Sequence, residues 1–388
     1  MKFYPLAQET ISKKEITLLS KWLLKGEKLT KDKITIEFEK KFSKYINRKY
    51  SIFVNSGSSA NLLMVSALIA SNRLKNKKAI IAGVSWATTV SPFMQTNFDI
   101  KLCDCSTKDL GIDVNHFELL CQKNKPSIAI LVNVLGHSND FKKIKKLCKK
   151  YDVILLEDSC EALGTLLEKK KLGTFGVASS FSFYYGHHIS TIEGGMVTTD
   201  DFELYNLMLS IRSHGWSRDL DKNFQKKLIR KYNIDEFRNL YTFYFEGYNF
   251  RSTELNAFLG INQLKKINKI SKVRNKNFNC YKKNLSEFWC QSSSSNFISS
   301  FAYGTLVKNR IEVFKYLKKF NIETRPLICG NIGRHPFWIK KYGIQKLKNA
   351  DIVHEYGLYL PNNFNLNNED VNYICQRFKE IAIPKFFK

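Results

Sequence analysis

The stretch that decides the fold is VASSFSFYYGHHISTIEGGMVTT, residues 177–199. Its first half, residues 177–185, is rich in aromatic and other strand-forming residues, which predicts a strand. Its second half, residues 194–199, is a short apolar run after two glycines, which predicts a second strand. Between the two strands stand His187 and His188, followed by a glutamate. The pattern indicates polar and aromatic side chains held at the mouth of a sheet.

Alternating strands and helices precede this stretch. Short apolar runs at residues 78–82, 127–134 and 153–156 are separated by amphipathic helical segments. Apolar strands without strict alternation predict a mostly parallel α/β sheet with helices on both faces. In such a sheet, ligands bind at the carboxyl ends of the strands. We expect a large ligand-binding domain, residues 1–250, and a smaller α+β C-terminal domain, residues 251–388.

The composition predicts a folded protein that does not cross a membrane. The 388 residues are 44% hydrophobic and 13% aromatic, enough for a large core. We find no apolar run of about 18 residues and no signal layout at the N-terminus, so we expect a cytoplasmic protein with no membrane partner. The nine cysteines include no CxxC pair, so we expect neither a metal site nor a disulfide framework.

The net charge of +27 bears on the choice of partner. The lysines are spread along the whole chain, whereas a nucleic-acid interface more often clusters them with arginine and stacking aromatic residues. We therefore expect no nucleic-acid partner, and a positive surface that attracts an anionic substrate such as a sugar nucleotide. A nucleic-acid-binding protein is the rival interpretation, and a gel shift at moderate salt would test it.

A second motif predicts an anion site. A short strand, residues 52–54, runs into a Gly/Ser turn that includes Gly57 and Ser58, and an apolar helix follows. Free N–H groups and the helix dipole make such a helix N-terminus attractive to phosphate, although the same residues also suit an ordinary helix cap. Trp86 and Asp158 follow other predicted strands, which places them at the same edge of the sheet.

Five motifs in this order resemble the DegT/DnrJ/EryC1/StrS sugar-aminotransferase family of fold-type I pyridoxal-phosphate enzymes. The motifs are residues 55–60, 84–89, 156–164, 182–195 and 247–251. The resemblance covers nearly the whole chain. It implies the aspartate-aminotransferase-like fold, and it implies pyridoxal 5′-phosphate or pyridoxamine 5′-phosphate as the cofactor.

The resemblance also implies roles for individual residues. Asp158 should hold a proton on the pyridine nitrogen, and Trp86 should stack on the ring. Glu161 stands near the ring hydroxyl, where the family commonly has glutamine. Asn249 should reach the phosphate of the partner subunit's cofactor, which implies a homodimer. The phosphate itself should be held by Gly57, Ser58 and Ser182.

One departure from the family pattern sets the chemistry. Counted from Ser182 and Glu193, the lysine of the family's aminotransferases would fall at position 187, where this chain has His187. A histidine cannot make the covalent tether that lysine makes, so the cofactor should be bound non-covalently. The histidine pair resembles the deoxysugar 3-dehydratases of the family. This implies removal of the C3 hydroxyl of a nucleotide-linked 4-keto-6-deoxy sugar, with His187 as the acid–base residue and L-glutamate restoring the cofactor.

The resemblance favours GDP-4-keto-6-deoxymannose as the substrate, in deoxysugar synthesis for lipopolysaccharide O-antigen. From the sequence, both the nucleotide and the configuration of the sugar stay open. The candidate substrate contacts are His188, His214, Arg251 and Arg325, with a purely structural role as the alternative for His188. A related group of dehydratases carries an iron–sulfur cluster in a cysteine-rich insertion. Residues 217–250 contain no cysteine, so we expect no cluster.

Two further interpretations belong to the same family. An ordinary nucleotide-sugar aminotransferase is disfavoured because it would need the missing lysine. A non-catalytic homologue that binds the cofactor or a sugar nucleotide is disfavoured by Asp158 and Trp86, because a regulator has no need to protonate a pyridine ring.

Overall fold

The computed structural model describes residues 2–387. Helices and strands alternate through the first half of the chain, and the second half is mostly helical. The strands are β1 Tyr50–Val54, β2 Lys78–Ala82, β3 Asp99–Cys103, β4 Ile128–Val132, β5 Ile154–Asp158, β6 Leu166–Leu167, β7 Lys170–Lys171, β8 Ala178–Ser182, β9 Gly195–Thr199, β10 Tyr303–Leu306, β11 Arg325–Pro326 and β12 Gly357–Leu360. The helices are α1 Lys13–Leu23, α2 Lys33–Ile46, α3 Gly57–Ala70, α4 Ala87–Gln95, α5 Val114–Asn124, α6 Phe141–Tyr151, α7 Phe202–Arg212, α8 Lys222–Tyr232, α9 Glu236–Asn239, α10 Glu254–Leu264, α11 Ile267–Asn284, α12 Arg310–Lys319, α13 Pro336–Tyr342, α14 Lys348–Tyr356 and α15 Asn368–Lys379.

Seven strands form the central sheet in the order β1-β9-β8-β5-β4-β2-β3. Only β9 runs antiparallel to its neighbours, which confirms the predicted mostly parallel α/β sheet. Residues 177–199 supply β8 and β9, and Ser182 pairs with Gly195 at the end of the two strands. β8 is shorter than predicted because a turn, closed by a bond from the N–H of His187 to the carbonyl of Tyr184, takes the chain out of the sheet.

The helices cover the sheet as their sequences require. α3 is apolar on nearly every side, because it packs against β8 and β9 and also against α4 and α7. α6 instead buries one stripe, Phe141, Ile144 and Leu147, and leaves its lysines outside. Along residues 2–387 no helix combines the length and the apolar character needed to cross a bilayer.

Residues 217–240 contain the short helices α8 and α9. Asp221 caps α8 by accepting hydrogen bonds from the N–H groups of Asn223 and Phe224. Of the α8 side chains only Leu228 is buried. The segment is therefore largely exposed, and local capping makes it helical.

The C-terminal part builds a second, three-stranded antiparallel sheet in the order β10-β12-β11, covered by α11, α12 and α15. The predicted division after residue 250 stays a prediction. α10 follows that point, yet it packs on α2, where a Cβ on Gly260 would lie 2.5 Å from the ring of Phe38. By packing, α10 therefore belongs with the large sheet.

Candidate active site

A cavity of about 390 Å³ opens at the carboxyl ends of the central strands. Loops that follow β1, β2, β5 and β8 form one wall, and Phe301, Arg325 and Tyr359 of the C-terminal part line the other. This is the edge at which parallel sheets bind ligands. Eight of the predicted site residues line the cavity, namely Gly57, Ser58, Trp86, Asp158, Glu161, Ser182, His187 and Arg325.

One end of the cavity is built to hold an anion. α3 begins at Gly57, and the side chain of Ser56 caps it by accepting the N–H of Ser59 at 3.0 Å. The N–H groups of Gly57 and Ser58 belong to the first turn, so they have no acceptor within the helix. A Cβ on Gly57 would lie only 2.7 Å from the Cβ of Ser182. The helix start and the end of β8 therefore leave space for a phosphate but not for a side chain at position 57.

Asp158 provides a fixed negative charge in the cavity. Its side chain is 5% exposed, and its Oδ2 accepts hydrogen bonds from Asn61 Nδ2 and Thr89 Oγ1, both at 2.8 Å. Its Oδ1 accepts the backbone N–H of Cys160 at 3.2 Å. The hydroxyl of Ser180 donates to Oδ1 of Asn61 at 2.6 Å, which orients the Asn61 amide toward the carboxylate. A carboxylate held in this way is suited to pair with a protonated pyridine nitrogen.

His187 faces the cavity as an uncharged base. Its ring lies 5.4 Å from the ring of Phe301, and its Nδ1 is buried with no hydrogen-bond partner within residues 2–387. Burial lowers the pKa of His187 to about 4, against the opposing effect of the Asp158 carboxylate. At neutral pH the imidazole is therefore neutral and free to accept a proton.

Glu161 is a carboxyl group that keeps its proton. Its Oε2 accepts the backbone N–H of Leu135 at 2.8 Å. Burial raises the pKa of Glu161 to about 8, and the nearby Asp158 carboxylate raises it further. At pH 7 the group is mostly neutral and can donate a hydrogen bond into the cavity. Its predicted contact with a ring hydroxyl stays a prediction.

Trp86 and Arg325 stand at the rim. Trp86 occupies the cap position before α4 and is 58% exposed, so one face of its ring is open to a ligand. The exposed guanidinium of Arg325 donates from Nη2 to Glu323 Oε1 at 2.8 Å. Both residues are placed to contact a bound molecule that extends out of the cavity.

Three other predicted residues form a separate cluster outside this cavity. Arg251 donates from Nε to Asn249 Oδ1 at 2.9 Å and from Nη2 to His214 Nε2 at 3.1 Å. Because arginine has no acceptor, His214 must accept that bond through an unprotonated Nε2. Asn249 is exposed. The structure thus brings these three residues together, but they do not line the cavity that contains the eight residues named above.

His188 points away from the cavity. It is 1% exposed, and its Nε2 donates to the carbonyl oxygen of Ser299 at 2.8 Å. Burial lowers the pKa of His188 well below its ordinary value. This bond ties the loop after β8 to the C-terminal part, which favours the structural alternative for His188. Its contact with substrate stays a prediction.

Sequence reasoning missed four residues that complete the site. Asn61 and Thr89 orient Asp158. Asn61 gave a signal as a polar residue in the mostly apolar helix α3, whereas Thr89 lies among other polar residues of α4 and gave none. Phe301 and Tyr359 line the cavity from the C-terminal part. Their sequence surroundings give no signal, because only the tertiary fold brings them to the sheet edge.

The residues present fit a phosphorylated pyridine cofactor. The Gly57 cradle suits the phosphate, Asp158 suits the ring nitrogen, and the unpartnered Nδ1 of His187 leaves an acid–base group free. No lysine is found among the described residues that line the cavity. Within residues 2–387 no group of three or more His, Cys, Asp or Glu side chains is arranged to hold a metal ion.

The sheet order with its antiparallel β9, and the cavity at the strand ends, define a protein of fold type I, the fold of pyridoxal-phosphate aminotransferases. The chain belongs to the DegT/DnrJ/EryC1/StrS aminotransferase family, whose profile matches residues 10–379. The family and the fold predicted from the sequence are both confirmed.

Several relatives carry a more specific activity. GDP-4-keto-6-deoxy-D-mannose 3-dehydratase of Yersinia pseudotuberculosis is 34% identical over 373 residues, 92% of this chain and 94% of the relative. A histidine-to-asparagine variant of GDP-4-keto-6-deoxymannose-3-dehydratase with bound GDP-perosamine matches with a TM-score of 0.89 and 32% identity, covering 97% of this chain and 100% of that chain. A structure of that enzyme with a trapped PLP-glutamate geminal diamine matches with a TM-score of 0.87 and 31% identity, at the same coverage.

Proposed function

We propose that this protein is a pyridoxamine-phosphate-dependent 3-dehydratase. It removes the C3 hydroxyl of a nucleotide-linked 4-keto-6-deoxy sugar, with GDP-4-keto-6-deoxymannose as the substrate. The observation that carries the proposal is His187, which occupies the cofactor cavity at the position of the family's lysine. Relatives named as 3-dehydratases of this sugar, similar over nearly the whole chain, confirm the predicted enzyme class and cofactor.

Different cavity residues hold different parts of the cofactor. Pyridoxamine phosphate, when bound, supplies an amino group for the sugar ketone and a ring that accepts electrons. Asp158 keeps a proton on the ring nitrogen, because its carboxylate is already fixed by Asn61 and Thr89. Gly57 and Ser58 bind the phosphate through the first N–H groups of α3.

His187 moves the protons. As a neutral imidazole it accepts a proton from the carbon that carries the amino group, and it then returns a proton to the departing C3 hydroxyl. A single histidine can serve both steps because the proton that the neutral imidazole takes up in the first step is the proton that it gives to the hydroxyl in the second. Without a lysine there is no covalent tether to the cofactor, and L-glutamate is the proposed donor that restores the amino group.

A product assay tests this function directly. The protein is incubated with pyridoxal phosphate, L-glutamate and GDP-4-keto-6-deoxymannose, and the products are analysed by mass spectrometry. We expect ammonia and a sugar nucleotide that has lost one oxygen. A 4-amino sugar as the product would instead identify an aminotransferase, and no turnover with cofactor bound would identify a non-catalytic homologue.

The role of His187 has its own test. His187→Asn keeps a polar side chain of similar shape but lacks a usable base, so dehydration should be lost while the cofactor still binds. His116→Asn is the matched control, since that ring lies outside the cavity and accepts the N–H of Asp104 at 2.9 Å. Dehydration that persists in His187→Asn would show that another group is the base.

We also propose that Asn249, His214 and Arg251 serve the partner subunit of a homodimer. They form one hydrogen-bonded cluster outside the cavity of their own chain, and Asn249 is exposed. Mixing inactive His187→Asn and Asn249→Ala chains should restore activity, because the mixed dimer contains one site with both residues intact. Mixed dimers without activity would place Asn249 in its own chain's site.

A cytoplasmic location belongs to the same proposal. It is expected from the sequence and agrees with a cavity fitted to a phosphorylated cofactor and a charged sugar nucleotide. Cell fractionation tests it, and recovery of the protein in the membrane fraction would contradict it.

A further inference from the structure

Arg274 is a buried arginine behind the wall of the cavity. It lies on α11 and is 2% exposed. Its Nη1 donates to the backbone carbonyls of Phe301 at 2.8 Å and Asn362 at 2.6 Å, and more distantly to that of Ser300 at 3.4 Å. The Nε atom is buried and has no partner within residues 2–387. The guanidinium is therefore held only by neutral carbonyl groups.

This arrangement is unusual, because a buried charge is costly unless an opposite charge pairs with it. Arg212, another deeply buried arginine, is paired with Glu39 at 2.6 Å and Asp219 at 3.3 Å. No ion pair of that kind involves Arg274 in the described part of the chain, and burial lowers the pKa of its guanidinium to about 10. Its positive charge is therefore not neutralised locally and acts on its surroundings.

Phe301 connects this charge to the histidines. The guanidinium carbon of Arg274 lies 5.8 Å from the centre of the Phe301 ring. The same ring lies 5.4 Å from the ring of His187 and 6.3 Å from that of His188. The Ser299 carbonyl, two residues earlier, accepts the bond from His188. The segment of residues 299–301 therefore contacts both histidines, and Arg274 donates hydrogen bonds to two of its backbone carbonyls.

We propose that Arg274 is a positioning residue for His187. Its hydrogen bond to the backbone carbonyl of Phe301 holds that ring against the imidazole. Its positive charge, which has no ion-pair partner in the described residues, favours the uncharged imidazole that accepts a proton. The inference deepens the proposed function and rests on it in one respect, namely that His187 is the base. Arg274 itself lies behind the cavity wall and is not among the residues that line the cavity.

Some ionisable groups around His187 favour its charged form and others favour its neutral form. Asp158 favours the charged imidazole, whereas burial and Arg274 disfavour it. Arg325 stands at the rim with its charge shared by Glu323, and His188 lies behind Phe301. The remaining ionisable groups that line the same cavity are Cys160, Glu161, Tyr184, Glu193 and Tyr359.

The experiment measures the titration of His187 in the full chain without added cofactor. Histidine is labelled with ¹⁵N and ¹³C, and the His187 signal is assigned by its loss in His187→Asn. Arg274→Met removes the charge and should raise the His187 midpoint by about one pH unit, as expected for a charge on the far side of the Phe301 ring at an effective dielectric constant of about 20. Arg274→Lys keeps the charge and should shift the midpoint by less than half as much.

Two further variants complete the design. Arg310→Met is the matched control, since Arg310 also clamps backbone carbonyls, at 2.6 Å from His354 O, but lies outside the cavity wall. It should leave the His187 midpoint unchanged. Phe301→Leu keeps the charge and opens the wall, so the midpoint should rise toward the ordinary value of 6.5. This variant tests the proposal even if Arg274→Met does not fold.

An unchanged midpoint in Arg274→Met overturns the proposal, and so does an unchanged midpoint in Phe301→Leu if Arg274→Met does not fold. So does an equal shift in Arg310→Met, because it would show a general effect of loosening the C-terminal part. Failure of the proposed function is a separate result. If His187→Asn still dehydrates the sugar, His187 is not the base, yet the titration shift on Arg274→Met would still be measured.

Discussion

Glu161 allows a prediction of stability whose sign depends on pH. The side chain is acidic, borders the cavity and, within residues 2–387, accepts one hydrogen bond, from the N–H of Leu135. Burial raises its pKa from 4.5 in the unfolded chain to about 8 in the folded protein. As pH rises above 4.5 the unfolded chain ionises this group and the folded protein does not. The folded state therefore loses stability until pH passes about 8.

The magnitude follows from the same two values. Between pH 4.5 and pH 7 the difference amounts to about 1.4 kcal/mol for each pH unit, or about 3 kcal/mol in all. Because Glu161 borders an open cavity, solvent screening makes this an upper limit. Glu161→Gln removes the ionisable group and keeps the shape. The variant should gain up to about 3 kcal/mol over the wild type as pH rises from 4.5 to 7.

Urea unfolding at pH 4.5 and pH 7 measures this difference. The matched control is Glu157→Gln. Glu157 is fully buried, but it accepts the N–H groups of Gly173, Phe175 and Gly176 at 2.9, 2.6 and 2.6 Å. The same chemical change there should destabilise the protein at both pH values. A Glu161→Gln variant whose stability follows the wild type at both pH values would refute the reasoning, since Glu161 would then ionise normally in the folded protein.

Three further predictions concern other residues. Gly57→Ala should weaken pyridoxal-phosphate binding at least about 10-fold in a fluorescence titration, because its Cβ would meet Ser182 at 2.7 Å and overpacking costs about 1–3 kcal/mol; unchanged binding would contradict the cradle. Thr89→Val should lower the free energy of unfolding by about 1.5–3 kcal/mol, because it removes a 2.8 Å hydrogen bond to the buried charge of Asp158; a neutral result would show that Asp158 has found another donor. His137 is fully buried without a partner in the described part of the chain, and burial lowers its pKa to about 3, so folded-state stability is lost as pH falls below about 6.5. His137→Leu should abolish about 2 kcal/mol of the loss between pH 7 and pH 5 in urea unfolding, and an unchanged loss would count against this cause.

Much of the site could be predicted because it is assembled at the ends of strands. Gly57 follows one apolar strand and Asp158 ends another, while Ser182 ends β8 beside them, and parallel strands bring their carboxyl ends to one edge. The local sequence was therefore enough to predict where these residues lie. It also predicts helix caps, such as Ser56 before α3, because the capping side chain and the N–H group it accepts lie within a few residues of each other.

The C-terminal wall could not be predicted in this way. Phe301 and Tyr359 reach the cavity only after the second sheet packs on the first. The burial of Arg274 is still harder to predict, because the sequence of α11 is that of a lysine-rich amphipathic helix. One more basic residue in such a helix suggests a solvent-exposed face. The burial of Arg274 depends on the carbonyl groups of residues 300, 301 and 362, which approach it from remote parts of the chain.

The two histidines show what tertiary structure adds to a motif. In sequence His187 and His188 are equivalent neighbours, and counting from Ser182 only identifies which of them takes the place of the lysine. In the fold His187 lines the cavity, and its Nδ1 has no hydrogen-bond partner among the described residues, whereas His188 donates to the Ser299 carbonyl and does not line the cavity. Ser299 and Phe301 belong to the same segment, so the placement of the C-terminal part determines the surroundings of both rings. The proton affinity of the base is therefore a property of how the two parts of the chain pack, and substitutions far from the cofactor loop should change it.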